Sequence, residues 1–255
     1  MTKINLCTLL FFSVVICFAQ EDLKEREKQA AFDPAYSTYS RKKPAYVTLK
    51  NGEKVEADIK DVDRKKGQIN EIKFIKSDGS KLRVSAEEIV DLYMAPSGFE
   101  KMQQQSNFIN DATKWGNSDA SKYLNKGYTM YTNQMVSLKN KKKEAEYLMQ
   151  VINPKFGQYI EVYSDPWAKE TMSFNPGGLK VAGGIKKSYY IKKGDEKVLW
   201  LTKQDFDKHF NDLFMDNDKF KAKYADHKFK WSLLGVYILD YTEFTMEEET
   251  ATPTK

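Results

Sequence analysis

Histidine and cysteine are nearly missing, with two of each in 255 residues. Two histidines, His209 and His227, cannot build a three-histidine zinc centre, and they do not stand at the spacing that puts two ligands on one helix face. Both cysteines, Cys7 and Cys17, lie in the first twenty residues. The rest of the chain therefore carries no thiol, which excludes a cysteine nucleophile, a thiolate metal site and a disulfide staple. A chain of this length buries enough apolar surface to fold without staples. No apolar run beyond residue 20 is long enough to span a bilayer as a helix.

Several motifs are absent or broken. No G-x-S-x-G sequence occurs, and only two histidines exist to serve as a hydrolase base. Gly178 and Gly183 have the separation of P-loop glycines, but Gly184-Ile185 occupies the positions where Lys and Ser or Thr must meet phosphate and metal. Turns between strands explain these glycines better. Asp216-Asn217-Asp218 begins like a calcium loop. Phe220 then stands where the third ligand belongs, Lys221 replaces the turn glycine, and no Glu follows at the twelfth position, so helix capping is the expected role. No catalytic residue, metal ligand or cofactor is assigned on the sequence.

What is present points to an exported, folded chain. Apolar residues make up 41% and aromatics 13%, too much for a disordered segment. Residues 1–19 carry Lys3, an apolar stretch from Leu9 to Phe18, and an ending Cys17-Phe18-Ala19 before Gln20, which reads as a secretory signal peptide. The stretch is short for a membrane anchor and runs at once into the polar segment Glu21 to Lys28. Lipid modification of Cys17 would want a small residue where bulky Ile16 stands. The expected location is periplasmic or outer-membrane-associated.

Residues 20–44 read as a solvated linker with a short helix at Leu23 to Ala31. From Ala45 the pattern alternates with period two: Val47 and Leu49, a turn at Asn51-Gly52, then Val55, Ala57 and Ile59. A second hairpin places Ile72 and Phe74 before Asp78-Gly79, with Leu82 and Val84 on the return and a last strand over Ile89 to Met94. Five short strands with one apolar face each predict a small β-barrel over 45–95, because closure buries that face and removes edges. Residues 96–126 read as a polar linker with some helix. An α+β domain is expected over 127–245: a weak alternation at Gly127 to Thr132, a helix over Lys139 to Ile152, an antiparallel meander through Ile160, Val162, Thr171 to Phe174, Leu179 to Ala182, Ser188 to Ile191 and Val198 to Leu201, then C-terminal helices. Phe206, Phe210, Leu213 and Phe214 share one helix face, Phe220 and Tyr224 mark a second helix, and Leu233, Leu234, Tyr237, Ile238 and Tyr241 a third. Residues 246–255 are expected to fray.

The stretches Val47-Thr-Leu-Lys-Asn-Gly52, Tyr163-Ser-Asp-Pro-Trp-Ala168, Leu179-Lys-Val-Ala-Gly-Gly184 and Ser188-Tyr-Tyr-Ile-Lys-Lys-Gly194 resemble a group of secreted Bacteroidota proteins of unknown function. In that group a small β-barrel-like domain precedes an α+β domain. The resemblance implies an envelope location in a diderm bacterium. Leu49-Lys50-Asn51-Gly52 followed by Val62-Asp63 is also similar to the first motif of Sm-type, SH3-like barrels. The second Sm motif is replaced by Val84-Ser85-Ala86-Glu87, so RNA binding does not follow.

Charge argues the same way. Residues 45 to 94 hold ten Lys/Arg and ten Asp/Glu, so the barrel lacks the basic field that phosphate neutralisation requires, and no nucleic-acid partner is expected. Lys141-Lys142-Lys143, Lys186-Lys187 and Lys192-Lys193 supply positive charge further on, open to anionic headgroups or an acidic partner. The candidate contact surface is Tyr163, Asp165, Trp167 and Phe174, where aromatics flank a turn and fit a protein or glycan. The reading is a non-catalytic binding or assembly module. Its alternative is a carboxylate-dependent hydrolase of an envelope or glycan substrate, drawing on Glu161, Asp165 and Glu170.

Overall fold

Alternation fixes the first sheet in the computed structural model, which describes residues 23–98, 119–169 and 186–251. The segment expected to be a signal peptide, most of the expected polar linker, Glu170, Phe174 and the strands expected at 171–182 lie outside the described residues. Strands β1 (Ala45–Leu49) and β2 (Lys54–Lys65) meet at Asn51-Gly52, where Gly52 takes φ +87°. Strands β3 (Gln68–Ile75) and β4 (Lys81–Ser85) meet at Asp78-Gly79, where Gly79 takes φ +81°. Both glycines adopt the left-handed conformation that these tight turns demand. Ser85 and Glu88 form a capping box on one 3-10 turn before β5 (Ile89–Met94).

The sheet is larger than five strands. β6 (Thr129–Ser137) pairs with β5, and β7 (Glu144–Gln150) pairs with β6 and, through Leu148 opposite Ile69, with β3. The order β2-β1-β5-β6-β7-β3-β4, with a further β2–β3 pairing, runs the pairings in a closed circuit with β4 attached outside. Val47, Ile59, Ile72, Phe74, Leu92 and Leu148 fill its interior.

The helix expected over Lys139 to Ile152 is thus strand β7. Leu148 enters the interior while Met149, the next residue, packs outward against the second sheet. Burial on both faces produces a continuous apolar run, which imitates helical spacing. β2 also extends further than its apolar alternation, through the charged stretch Lys60 to Lys65, to a turn at Lys66-Gly67.

A second sheet, order β10-β9-β8, comprises β8 (Ile160–Tyr163), β9 (Ser188–Lys193) and β10 (Leu199–Thr202). It is the middle layer. Tyr163 and Tyr190 pack with Val136, Met149 and Val198 toward the first sheet, whereas Ile160, Val162, Tyr189 and Ile191 face the helices. Ile152 N–H donates to Val162 O at 2.9 Å and Ser164 N–H to Gln150 O at 2.9 Å, so the chain leaving β7 pairs along β8. The outer edge of β10 is occupied by the Asn140 side chain, which donates to Trp200 O at 3.0 Å and accepts from Trp200 N–H at 3.1 Å. An edge filled this way offers no strand template there.

Helices α3 (Phe206–Phe214), α4 (Asp218–Tyr224) and α5 (Leu234–Ala251) form the third layer; the short α2 (Asp119–Leu124) lies beside β6. Thr202 Oγ1 accepts from Asp205 N–H and donates to the Asp205 carboxylate just before α3. Asn217 caps α4 by accepting from Phe220 N–H at 2.8 Å. Phe206, Phe210, Phe214, Phe220 and Tyr237 interlock edge-to-face and stacked. Truncating one such ring to alanine costs about 3–5 kcal/mol. α5 stays helical to Ala251, further than the frayed tail expected from 246.

Residues 23–44 are no solvated linker. Helix α1 (residues 23–29) forms as expected, but Ala30 and Tyr36 are buried and Phe32 packs against Phe156 and Tyr189. Asp33 N–H donates to Ile152 O, Tyr36 N–H to Gln150 Oε1, and Ser40 N–H to Ala95 O. Buried backbone donors need such partners, so the segment is sewn across both sheets. Ala30, Phe32 and Tyr36 follow neither the strand nor the helix period among polar neighbours, so the sequence carried no signal of this packing.

Candidate functional site

Pro166 cannot continue a ladder of backbone bonds, and the chain turns there after β8. Asp165 organises the turn. Its Oδ1 accepts from Trp167 N–H at 2.9 Å, an Asx turn, and its backbone oxygen accepts from Ala168 N–H at 3.1 Å. Oδ2 accepts from the Ser188 hydroxyl at 2.7 Å and from Trp200 Nε1–H at 2.9 Å. With 1% of its surface exposed and three side-chain bonds made, this carboxylate fixes three segments together.

Trp167 is held on that rigid turn with 60% exposure. Its Nε1–H donates to Lys66 O at 2.6 Å, across 101 residues of sequence. Gly67, at φ +80°, lets this happen: a Cβ there would stand 2.7 Å from Pro166 Cβ and 3.1 Å from Trp167 Nε1. Arg64 adds a bond to Gly67 O at 3.3 Å. The indole is anchored at its polar edge and open elsewhere, a pre-organised contact group that loses little entropy on binding.

The four expected contact residues therefore separate. Trp167 is exposed as expected. Tyr163 is not on the surface: it is fully buried, because β8 lies between two layers and its outward face meets the first sheet. Its hydroxyl donates to Glu161 Oε2 at 2.5 Å, and burial, then the Glu161 charge, push the phenol far above the ordinary tyrosine range. Asp165 acts from beneath, through its bonds. Phe174 lies outside the described residues.

The acids expected for hydrolysis do not converge as a group. Asp165 is occupied by its three donors, Glu161 is half-buried beside Tyr163, and Glu170 lies outside the described residues. A residue not singled out, Asp91 on β5, is closer to that chemistry. Burial raises its pKa and the neighbouring Glu161 charge raises it further. An acid between Val90 and Leu92 in an alternating strand was the available signal, since it stands on the face opposite the interior. Among the described residues, no group of three or more His, Cys, Asp or Glu is placed to hold a metal.

The lysines also divide. Lys193 is committed to the fold, bonding Asp216 at 2.7 Å and lying 5.0 Å from the Tyr241 ring centroid. Lys141, Lys142 and Lys143 are exposed on the loop before β7. Lys187 N–H donates to Lys169 O and Lys203 N–H to Lys187 O, both at 2.9 Å, so three exposed lysines are lateral neighbours at the end of the second sheet that carries Trp167.

No family model, curated protein or solved structure matches the chain. Among the described residues, no helix is long and apolar enough to cross a membrane.

Proposed function

We propose that the protein is an exported cell-envelope protein, periplasmic or outer-membrane-associated, that acts as a non-catalytic binding or assembly module. The observation that carries this is Trp167: a large aromatic left mostly in water, yet immobilised by Lys66, Asp165 and the Gly67 turn. Binding surfaces draw much of their energy from a few rigidly held aromatic anchors, and Trp167 has that form. In this reading the closed circuit of strands is an SH3- or Sm-like barrel serving as scaffold, as in the secreted Bacteroidota proteins that the sequence resembles. The partner is an envelope protein or glycan; surface lysines add contact with anionic headgroups.

Affinity purification from the native envelope, followed by mass spectrometry and glycan analysis, tests the reading. A component retained by the wild type and lost with Trp167→Ala supports it. Equal recovery by both contradicts it.

The second reading is a carboxylate-dependent hydrolase, favoured by one observation: Asp91 holds its proton more tightly than an ordinary aspartate beside the Glu161 carboxylate. General acid catalysis uses such a carboxyl. Hydrolysis of an envelope glycan panel, abolished by both Asp91→Asn and Glu161→Gln, would establish it in place of the binding module.

A further inference from the structure

We propose that the end of the second sheet binds a linear acidic glycan, with Lys169, Lys187 and Lys203 meeting its carboxylates or other acid groups and Trp167 stacking on a sugar ring. This deepens the binding-module reading and rests on it. The register Thr202 opposite Ser188 continues to Lys203 opposite Lys187, with the bond from Lys203 N–H to Lys187 O. Lys169 stands on the other side of Lys187, bonded through its backbone oxygen. Backbone bonds therefore hold the three lysines next to one another just beyond the strand ends.

Gathering like charges opposes folding, because neighbouring like charges repel. Several other surface lysines do have carboxylate partners: Lys50 pairs with Glu146, Lys197 with Glu144, Lys219 with Glu247 and Lys223 with Asp240. Among the described residues no ion pair engages Lys169, Lys187, Lys203 or the nearby Lys66. Asp165, which belongs to the same turn, is buried and gives its oxygens to three neutral donors, and it makes no ion pair with these lysines. Asp205, two residues past Lys203, is bonded to Thr202. Among the described residues this charge has no carboxylate partner, and in the inference a ligand of opposite sign supplies one.

Trp167 narrows the class. Its exposed ring offers an apolar face suited to the C–H face of a pyranose, next to cations suited to the acid groups of the same polymer. A single-stranded nucleic acid also pairs cations with stacking, but it tracks successive aromatic platforms. Among the described residues, Trp167 is the only large aromatic that stands well exposed; the other exposed large apolar groups are Leu23, Val90 and Met135.

Calorimetric titration of the full chain lacking residues 1–19 with oligogalacturonate, its fully methyl-esterified form and an oligothymidylate of equal charge provides the test. The expected result is binding of oligogalacturonate that weakens with salt and falls by at least about tenfold when Lys169→Glu, Lys187→Glu and Lys203→Glu are combined. Trp167→Ala is expected to weaken binding similarly while leaving the salt dependence unchanged. The corresponding triple glutamine variant removes charge without adding repulsion and keeps the test readable if charge reversal disturbs folding. No binding of oligogalacturonate, unchanged affinity in both triple variants, or tighter binding of oligothymidylate would each overturn the inference. If the esterified oligomer binds through Trp167 and the lysine variants are silent, the acidic-glycan inference falls while the binding module stands.

Discussion

The Arg26 guanidinium grips the fully buried carboxylate of Asp240, 214 residues away in sequence, with Nε donating at 2.9 Å. Glu243 accepts from the same guanidinium, and Lys223 and the Tyr224 hydroxyl complete the shell around Asp240. The first described helix is thereby tied to the last.

Arg26→Ala should destabilise the fold by about 2 kcal/mol, below the usual cost of breaking a buried pair because Arg26 is partly exposed and Lys223 remains. Urea unfolding monitored by circular dichroism measures this. The pH dependence has a definite sign. Burial alone would raise the Asp240 pKa, but the bonds from Lys223, Tyr224 and Arg26 reverse this and hold it below the ordinary 3.8. The stabilisation is full above 3.8 and is lost as pH falls through the depressed folded value. Wild type and Asp240→Asn should therefore converge in stability on acidification.

Gly235→Ala should destabilise despite its gain of about 1 kcal/mol in helix propensity. A Cβ at 235 would lie 2.2 Å from Ala30 O, a backbone atom that moves only with the whole segment. A net loss of about 2 kcal/mol is expected, within the range of overpacking. Hydrogen exchange should show faster amides at Asp33 and Tyr36, the residues sewn onto Ile152 and Gln150.

Asp165→Ala should cost about 3 kcal/mol, because the Ser188 hydroxyl, Trp200 Nε1–H and Trp167 N–H all lose their acceptor. It should also loosen Trp167, read as lower fluorescence anisotropy on removing the turn's anchor. Ser188→Ala, which removes one bond, should cost about 1 kcal/mol and leave the anisotropy near the wild-type value.

Alkaline titration should show Tyr128 lagging behind exposed tyrosines. Burial, then the neighbouring Tyr46, push its phenol up to about 12. A raised folded value means the contribution to stability is present below 10 and lost as pH rises toward 12. Difference absorbance near the phenolate band, comparing wild type with Tyr128→Phe, should lose one transition in that window.

The legible parts of this fold were those where one face alone is buried. Asn51-Gly52, Asp78-Gly79 and the period-two residues around them announced two hairpins, and Phe206, Phe210, Leu213 and Phe214 announced α3. β7 was misread because Leu148 and Met149 are both buried on opposite faces. The far end of β2, beyond Val62-Asp63 where the Sm-like motif closes its strand, was missed because Arg64 and Lys65 offer no apolar alternation. At the candidate site Trp167 was legible as an aromatic beside a turn. Tyr163 was misplaced for the same reason as β7: a strand between two layers carries no polar face. Asp91 and the lysine cluster depend on which strand ends are brought together, which no local pattern announces.

Co-sedimentation with isolated bacterial envelopes, comparing wild type with Trp167→Ala of equal thermal stability, bears most directly on the central claim. The account predicts that the wild type pellets with the envelopes and that the variant stays largely in solution. Equal pelleting of the two proteins, or wild-type protein left wholly in the supernatant, would contradict it.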